Sequence, residues 1–86
     1  MENKFIDVRE LEAPAPFYEI IKILKTLQDG EILEVKHRLK PQLLYKTLNE
    51  NGYFHKTYEV FEGYKIMICH GGDIENIEKL EALVNV

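Results

Sequence analysis

The segment Ala13-Pro14-Ala15-Pro16 constrains the fold of this chain more than any other feature. Two prolines in alternate positions leave no N–H groups for a strand ladder, whereas proline fits the first turn of a helix. Before this segment, residues 4–9 alternate between apolar and polar side chains, which predicts a short strand. After it, apolar residues recur at helical spacing as far as Leu27, and Asp29-Gly30 predicts the end of the helix.

The rest of the chain continues to alternate between strand and helix patterns. Residues 31–37 predict a second strand, Pro41 opens a second helix that ends at residues 51–52, and residues 53–61 and 64–70 predict two strands joined by a turn at 62–63. Strand–helix–strand crossovers are right-handed, so both helices should lie on one face of the sheet. The predicted fold is an α/β chain of the α+β two-layer sandwich type, with the order β-α-β-α-β-β and a mixed four-stranded sheet.

A short third helix is predicted at the C-terminal end, where Asp73 can act as its N-cap. Residues 1–72 and this extension, residues 73–86, form a single domain because 86 residues bury only one modest core. The helix either covers the open face of the sheet, forms a homodimer or frays, and a small core favours the first two. Its apolar stripe consists of Ile74, Ile77, Leu80 and Val84.

Composition restricts the classes of partner and the compartment. The net charge is −4, which argues against nucleic acid and anionic membranes as partners. Glu59 and Glu62, next to the aromatic third strand, also argue against an RNA-binding platform. No apolar run approaches the ~20 residues that span a bilayer, the start lacks a signal peptide, and the single cysteine cannot form an internal disulfide. The cytoplasm is therefore the predicted location.

Residues Asp7 to Pro16 resemble the N-terminal signature of the TusA-like (SirA-like) sulfur-carrier superfamily, in which an aspartate, a Gly-Leu pair and Cys-Pro-x-Pro lead into the first helix. The similarity runs from about residue 5 to residue 70 and includes residues 37–41 before the second helix. Glu10 stands in place of the glycine and Ala13 in place of the sulfur-bearing cysteine. The chain therefore resembles the cysteine-less, uncharacterised branch of this superfamily, and persulfide transfer by the usual chemistry is not expected.

The start of the first helix should still favour anions, because Ala15 and Phe17 present N–H groups there. The second strand should run parallel to the first and end beside this helix start, where α/β sheets commonly bind ligands. Between Glu34 and Glu50 lie four basic residues and no acidic one, which predicts docking of a small anion or an acidic protein partner; a merely solvated surface is the alternative. The predicted ligand-binding residues are Arg9, Pro14, Pro16, His37, Arg38 and Lys40.

Other chemistry receives little support from the sequence. No catalytic motif is present, and hydrogen bonding to loop N–H groups suits Asp7 better than acid–base work. His37, His55, Cys69 and His70 could in principle bind a metal, but their spacing does not favour it, so neither metal nor cofactor is predicted. The leading prediction is a non-catalytic binding or regulatory domain. The alternative is an accessory protein of sulfur or redox metabolism that reacts through Cys69, which requires an exposed, acidified thiol.

Overall fold

The computed structural model describes residues 3–84, and the side chains of residues 3–83. Its elements follow the predicted order: β1 (Lys4–Asp7), α1 (Ala15–Leu24), β2 (Leu33–His37), α2 (Gln42–Glu50), β3 (Tyr53–Val60), β4 (Gly63–His70) and α3 (Ile74–Val84). None of the helices in this range is long and apolar enough to cross a membrane.

The four strands form one mixed sheet in the order β1-β2-β4-β3. β1 pairs with β2 in parallel, while β4 is antiparallel to both of its neighbours. The mixed four-stranded sheet is therefore confirmed. Because β1 and β2 run in the same direction, their carboxyl ends lie at the same end of the sheet, and the β3–β4 turn lies there as well.

Both main helices pack on one face of this sheet, as predicted. α1 contributes Ile20 and Leu24, and α2 contributes Leu44 and Leu48, all of them buried. These side chains meet apolar residues that alternate along the central strands, which is the pattern of a half-buried sheet. The strand residues of this core are Leu33, Val35, Ile66 and Ile68.

α3 covers part of the opposite face of the same sheet. Leu80 is 1% exposed, and it packs with Ile77 against Met67 and Cys69. Of the three arrangements left open by the sequence, cover within the same chain is the one observed. Ile77 and Leu80 therefore pack against the sheet of their own chain.

Of the other two residues of the predicted homodimer stripe, only Ile74 has a described side chain, and it is not part of this packing. Ile74 is 63% exposed, and the side chain of Val84 lies outside the described residues. Whether the chain forms a homodimer at all stays a prediction.

The alternation of side chains along β3 corrects the sequence-based reason given against an RNA-binding platform. Phe54 and Tyr58 pack with the α3 cluster, whereas Glu59 lies between Tyr58 and Val60 and projects to the other face. Glu62 lies in the β3–β4 turn. The acidic residues are therefore not on the face that carries these two aromatic rings, although the expectation of no nucleic-acid partner is itself untested.

α1 ends at Leu24 rather than at Leu27. The Leu27 N–H donates to the Leu24 carbonyl at 3.1 Å, and the Thr26 hydroxyl donates to the Ile23 carbonyl at 2.8 Å. These short-range bonds tighten the last turn and end the helix. Leu27 still reaches the core at 6% exposure, so the apolar spacing was interpreted correctly while the helix boundary was wrong.

The β3–β4 turn lies directly against the end of β2. The two turn residues are Phe61 and Glu62, so Gly63 belongs to β4 rather than to the turn as the sequence suggested. Gly63 has φ 147°, and a Cβ at this position would collide with the carbonyl oxygen of His37. Only glycine permits this close approach, which holds the hairpin beside the loop between β2 and α2.

Candidate functional site

The candidate site lies where β1 and β2 end and both main helices begin. The two prolines of the α1 entry segment place the start of this helix at Ala15, with Pro14 at the N-cap position and Pro16 buried in the first turn. The Ala15 N–H donates to the Glu12 carbonyl at 2.9 Å. The prediction that this N–H is free for an anion is therefore wrong, because the tight entry turn uses it.

Between the start of α1 and the β2–α2 loop lies a groove of about 330 Å³, here called the helix-start groove. Pro16, Ile20 and Leu44 are its buried apolar lining residues. Leu39 and Leu43 also line it and are 59% and 62% exposed. Its remaining lining residues are Leu11, Ala13, Pro14, Phe17, His37, Arg38, Lys40, Pro41 and Gln42. The groove is apolar in the middle and carries its charges at the loop.

Five of the six predicted site residues line this groove: Pro14, Pro16, His37, Arg38 and Lys40. The two prolines come from the α1 entry, and the other three come from the end of β2 and the loop after it. The parallel pairing of β1 with β2 brings these two segments together.

Arg9, the sixth predicted residue, is not a groove residue. Its Nε and Nη2 atoms donate to the two carboxylate oxygens of Asp7 at 3.0 and 2.8 Å. This bonding holds the pKa of Asp7 at about 2. Arg9 lies instead in a neighbouring depression that it shares with Glu10, Glu62 and Arg38. Asp7 also accepts the Arg9 backbone N–H at 3.0 Å, which is the structural role predicted for it.

His37 is 7% exposed, and its ring orders the loop that follows β2. Nδ1 accepts the backbone N–H of Leu39 at 3.0 Å, so the neutral ring carries its proton on Nε2. Burial first, and then the nearby Arg38 guanidinium, lower the pKa of His37. The neutral imidazole is therefore the form present at pH 7, and its Nε2–H is a donor available to a ligand.

The charges at the groove are cationic. Arg38 donates from Nη2 to the Leu11 carbonyl at 3.5 Å, and the Lys40 ammonium lies 5.5 Å from the centre of the Tyr64 ring. In the part of the chain whose side chains are described, neither forms a salt bridge and no acidic side chain lines the groove. These two positive charges are thus free to pair with a ligand.

Both helices that start at the groove lack acidic residues in their first turns. Pro14 and Pro41 are the N-cap residues of α1 and α2, and neither forms a side-chain capping bond. Helix N-termini carry partial positive charge from their unpaired N–H groups. The two helix starts therefore add to the positive potential of Arg38 and Lys40 instead of offsetting it.

The four residues considered as metal ligands are not assembled into a centre. The His55 Nε2 pairs with Asn49 Oδ1 at 3.0 Å, and the His70 Nε2 pairs with the Leu27 carbonyl at 2.8 Å. Within the described residues no group of three or more histidine, cysteine, aspartate or glutamate side chains could hold a metal ion.

Cys69 does not meet the requirements of a reactive thiol. Its side chain is fully buried beneath α3, and burial together with the charge of Asp73 raises its pKa to about 11. The thiolate is the nucleophilic form of cysteine. The structure therefore does not present the exposed, acidified thiol that the alternative function through Cys69 requires, and that function stays a prediction.

The exposed leucines of the groove are not among the residues predicted from the sequence. Leu43 and Leu44 are neighbours in α2, and Leu44 is 1% exposed. Leu44 and Leu48 are four residues apart and form the buried stripe of α2, and Leu43 points about 100° away from Leu44. The position of Leu43 beside this stripe was the available signal for an exposed leucine.

The fold and the groove define a small α+β domain with an apolar, positively charged groove at the carboxyl ends of its parallel strands. The chain belongs to the family described as uncharacterized conserved protein (DUF2249), whose model matches residues 5–68. The match includes all residues of the helix-start groove and excludes α3. Comparisons with curated proteins and with solved structures gave no match. The resemblance to sulfur carriers stays a prediction.

Proposed function

We propose that this protein is a non-catalytic binding or regulatory domain that holds an acidic segment of a partner protein in the helix-start groove. The observation that carries the proposal is the combination of an apolar groove with charges of one sign. Basic residues number 11 and acidic residues 15 in the chain, yet the charged side chains that line the groove, Arg38 and Lys40, are both basic.

Apolar side chains of the partner supply affinity in this proposal. Leu39 and Leu43 are about 60% exposed, and covering them removes apolar surface from water. At the usual value for burying a leucine, each contributes about 1–2 kcal/mol. A small hydrophilic anion would leave this surface exposed, which favours a peptide segment with apolar side chains as the ligand.

Acidic side chains of the partner supply orientation. Arg38 and Lys40 lie on the loop next to the groove, where carboxylates can pair with them and where opposite charge speeds association. The His37 Nε2–H adds a neutral donor from a buried, ordered ring. A ligand carbonyl or carboxylate oxygen suits this donor.

Ala13 supports a binding role over sulfur transfer. It lines the groove at the position where the resemblance places the sulfur-bearing cysteine, and a methyl group offers no sulfur chemistry. In this interpretation, the fold that positions a sulfur atom in the sulfur carriers binds a segment of a partner protein in this chain.

The test uses two synthetic peptides of equal length that carry leucines at helical spacing, one with glutamates and one with lysines at the remaining positions. Binding is followed by amide chemical shifts of the ¹⁵N-labelled protein. The acidic peptide should shift the amides of residues 37–44 and those at the start of α1, and the basic peptide should not bind.

A matched pair of variants tests the role of charge. Arg38→Glu with Lys40→Glu should weaken binding of the acidic peptide about tenfold or more. The control, Lys25→Glu with Lys79→Glu, makes the same change in net charge at exposed positions outside the groove and should leave binding unchanged. Equal losses in both double variants would contradict the proposal. Groove shifts produced by inorganic sulfate but not by the peptide would replace it with a small-anion site.

A further inference from the structure

β3 is an edge strand of eight residues, Tyr53–Val60, whereas the other edge strand, β1, has four. The tight turn makes Val60 and Gly63 a hydrogen-bonded pair, and such pairs alternate along an antiparallel ladder. The N–H and C=O groups of Phe54, Lys56 and Tyr58 therefore bond to β4. Those of His55, Thr57 and Glu59 point away from the sheet.

Among the residues that the structure describes, these outward groups form a continuous unpaired edge. Within residues 3–84, no hydrogen bond from a loop, a helix or a side chain reaches the backbone of residues 54–60. The strand contains neither proline nor glycine, and most of its side chains are half-buried, so the edge is already ordered. An ordered row of free donors and acceptors is a template for one more strand.

We propose that two copies of this chain pair antiparallel through β3 about a two-fold axis at Thr57, joining their sheets into one of eight strands. In this register Thr57 bonds to Thr57 of the partner subunit, and His55 lies opposite Glu59 of the partner subunit. Both pairings join residues whose backbone N–H and C=O groups point away from β4. Every new hydrogen bond therefore uses backbone groups that β4 leaves unpaired.

Cross-strand side chains favour this register over its neighbour. With the axis at Thr57, Lys56 lies opposite Tyr58 of the partner subunit, and no two side chains of like charge lie directly opposite each other. Within the described side chains Glu59 forms no salt bridge in the single chain. An axis at Lys56 would place two lysines directly opposite each other, which is unfavourable.

The neighbouring elements hold the strand ready for this pairing. The Tyr45 ring of α2 stacks on His55 with centroids 5.0 Å apart, and its hydroxyl lies 2.7 Å from the Thr57 hydroxyl. Because these contacts fix Thr57 at the proposed axis and His55 beside it, little further ordering is needed on association. The surface is distinct from the helix-start groove, so the inference is independent of the proposed function.

The test measures mass and amide exchange of the full chain over a range of protein concentrations. Sedimentation should show a shift from one copy to two. In the dimer the amides of His55, Thr57 and Glu59 should become protected, while the amides of Lys56 and Tyr58 should be protected at every concentration. A protein that stays monomeric at millimolar concentration would overturn the proposal, as would a dimer whose added protection lies at α3 or β1.

A pair of surface variants gives a second measurement. Thr57→Lys places two lysines directly opposite each other at the proposed axis, and it should weaken self-association about tenfold. Ala82→Lys makes the same charge change at an exposed position of α3 and should not alter it. Equal self-association of these two variants would count against the β3 register.

Discussion

Gly63 provides a direct test of how the β3–β4 hairpin is held against the end of β2. Its φ of 147° lies where L side chains rarely occur, and a Cβ would collide with the His37 carbonyl oxygen. Backbone strain of this kind costs about 1–3 kcal/mol. The collision with a main-chain atom adds to this cost because neither strand can move away without disturbing the β2–β4 ladder. We expect Gly63→Ala to reduce the free energy of unfolding by about 3 kcal/mol or more.

Two further glycines separate strain from collision. Gly52 has φ 77° with open space around a Cβ, so Gly52→Ala should cost about 1–2 kcal/mol from strain alone. Gly72 has open space and no positive φ, so Gly72→Ala should change stability by about 0.5 kcal/mol at most. Urea unfolding followed by circular dichroism at one pH ranks the three variants. Equal urea midpoints for Gly63→Ala and Gly72→Ala would refute the reasoning.

Three other predictions follow from burial and titration. Leu80→Ala should cost about 2–5 kcal/mol because α3 buries this side chain against the sheet, whereas Leu83→Ala, at a 54% exposed position, should cost far less. Equal costs in urea unfolding would contradict the packing of α3. The pKa of Asp7 is lowered to about 2, so the Asp7–Arg9 bond stabilises the fold above pH 3.8. This stabilisation is lost as the pH falls toward 2. In acid unfolding titrations, Asp7→Asn should therefore flatten the dependence of stability on pH. The pKa of His37 is lowered from 6.5, so the folded state favours the neutral ring. Stability should therefore fall as the pH drops below 6.5. His37→Gln should remove this component of the dependence of stability on pH.

Much of the fold follows from periodicity and turn chemistry. The apolar spacing before Leu27 and the prolines at the start of α1 indicate a helix on a sheet, and right-handed crossovers then place both helices on one face. The end of α1 could not be read in this way. Leu27 continues the apolar period, but competing short-range bonds at Thr26 end the helix three residues earlier.

The sequence predicts those parts of the candidate site that the topology of the sheet brings together. It does not predict the parts that depend on hydrogen bonds between neighbouring side chains. Pro14 and His37 line one groove because the two parallel strands finish at the same end of the sheet. Arg9 seemed equivalent by position, but the carboxylate of Asp7 two residues earlier binds its guanidinium. Whether a guanidinium pairs with a nearby carboxylate or with a ligand depends on side-chain geometry. The spacing of residues along the sequence does not give that geometry.

Two sulfur-containing side chains are buried beneath α3, so the rate of their chemical modification reports transient opening of the structure. Met67 and Cys69, both at most 9% exposed, lie under the same helix. An oxidant or alkylating agent gains access to them only when α3 lifts from the sheet or the whole domain unfolds. The modification rate of Cys69 in the absence of denaturant therefore measures how often α3 detaches or the domain unfolds. If detachment of α3 dominates, Leu80→Ala should accelerate this modification more than it accelerates amide exchange in β2.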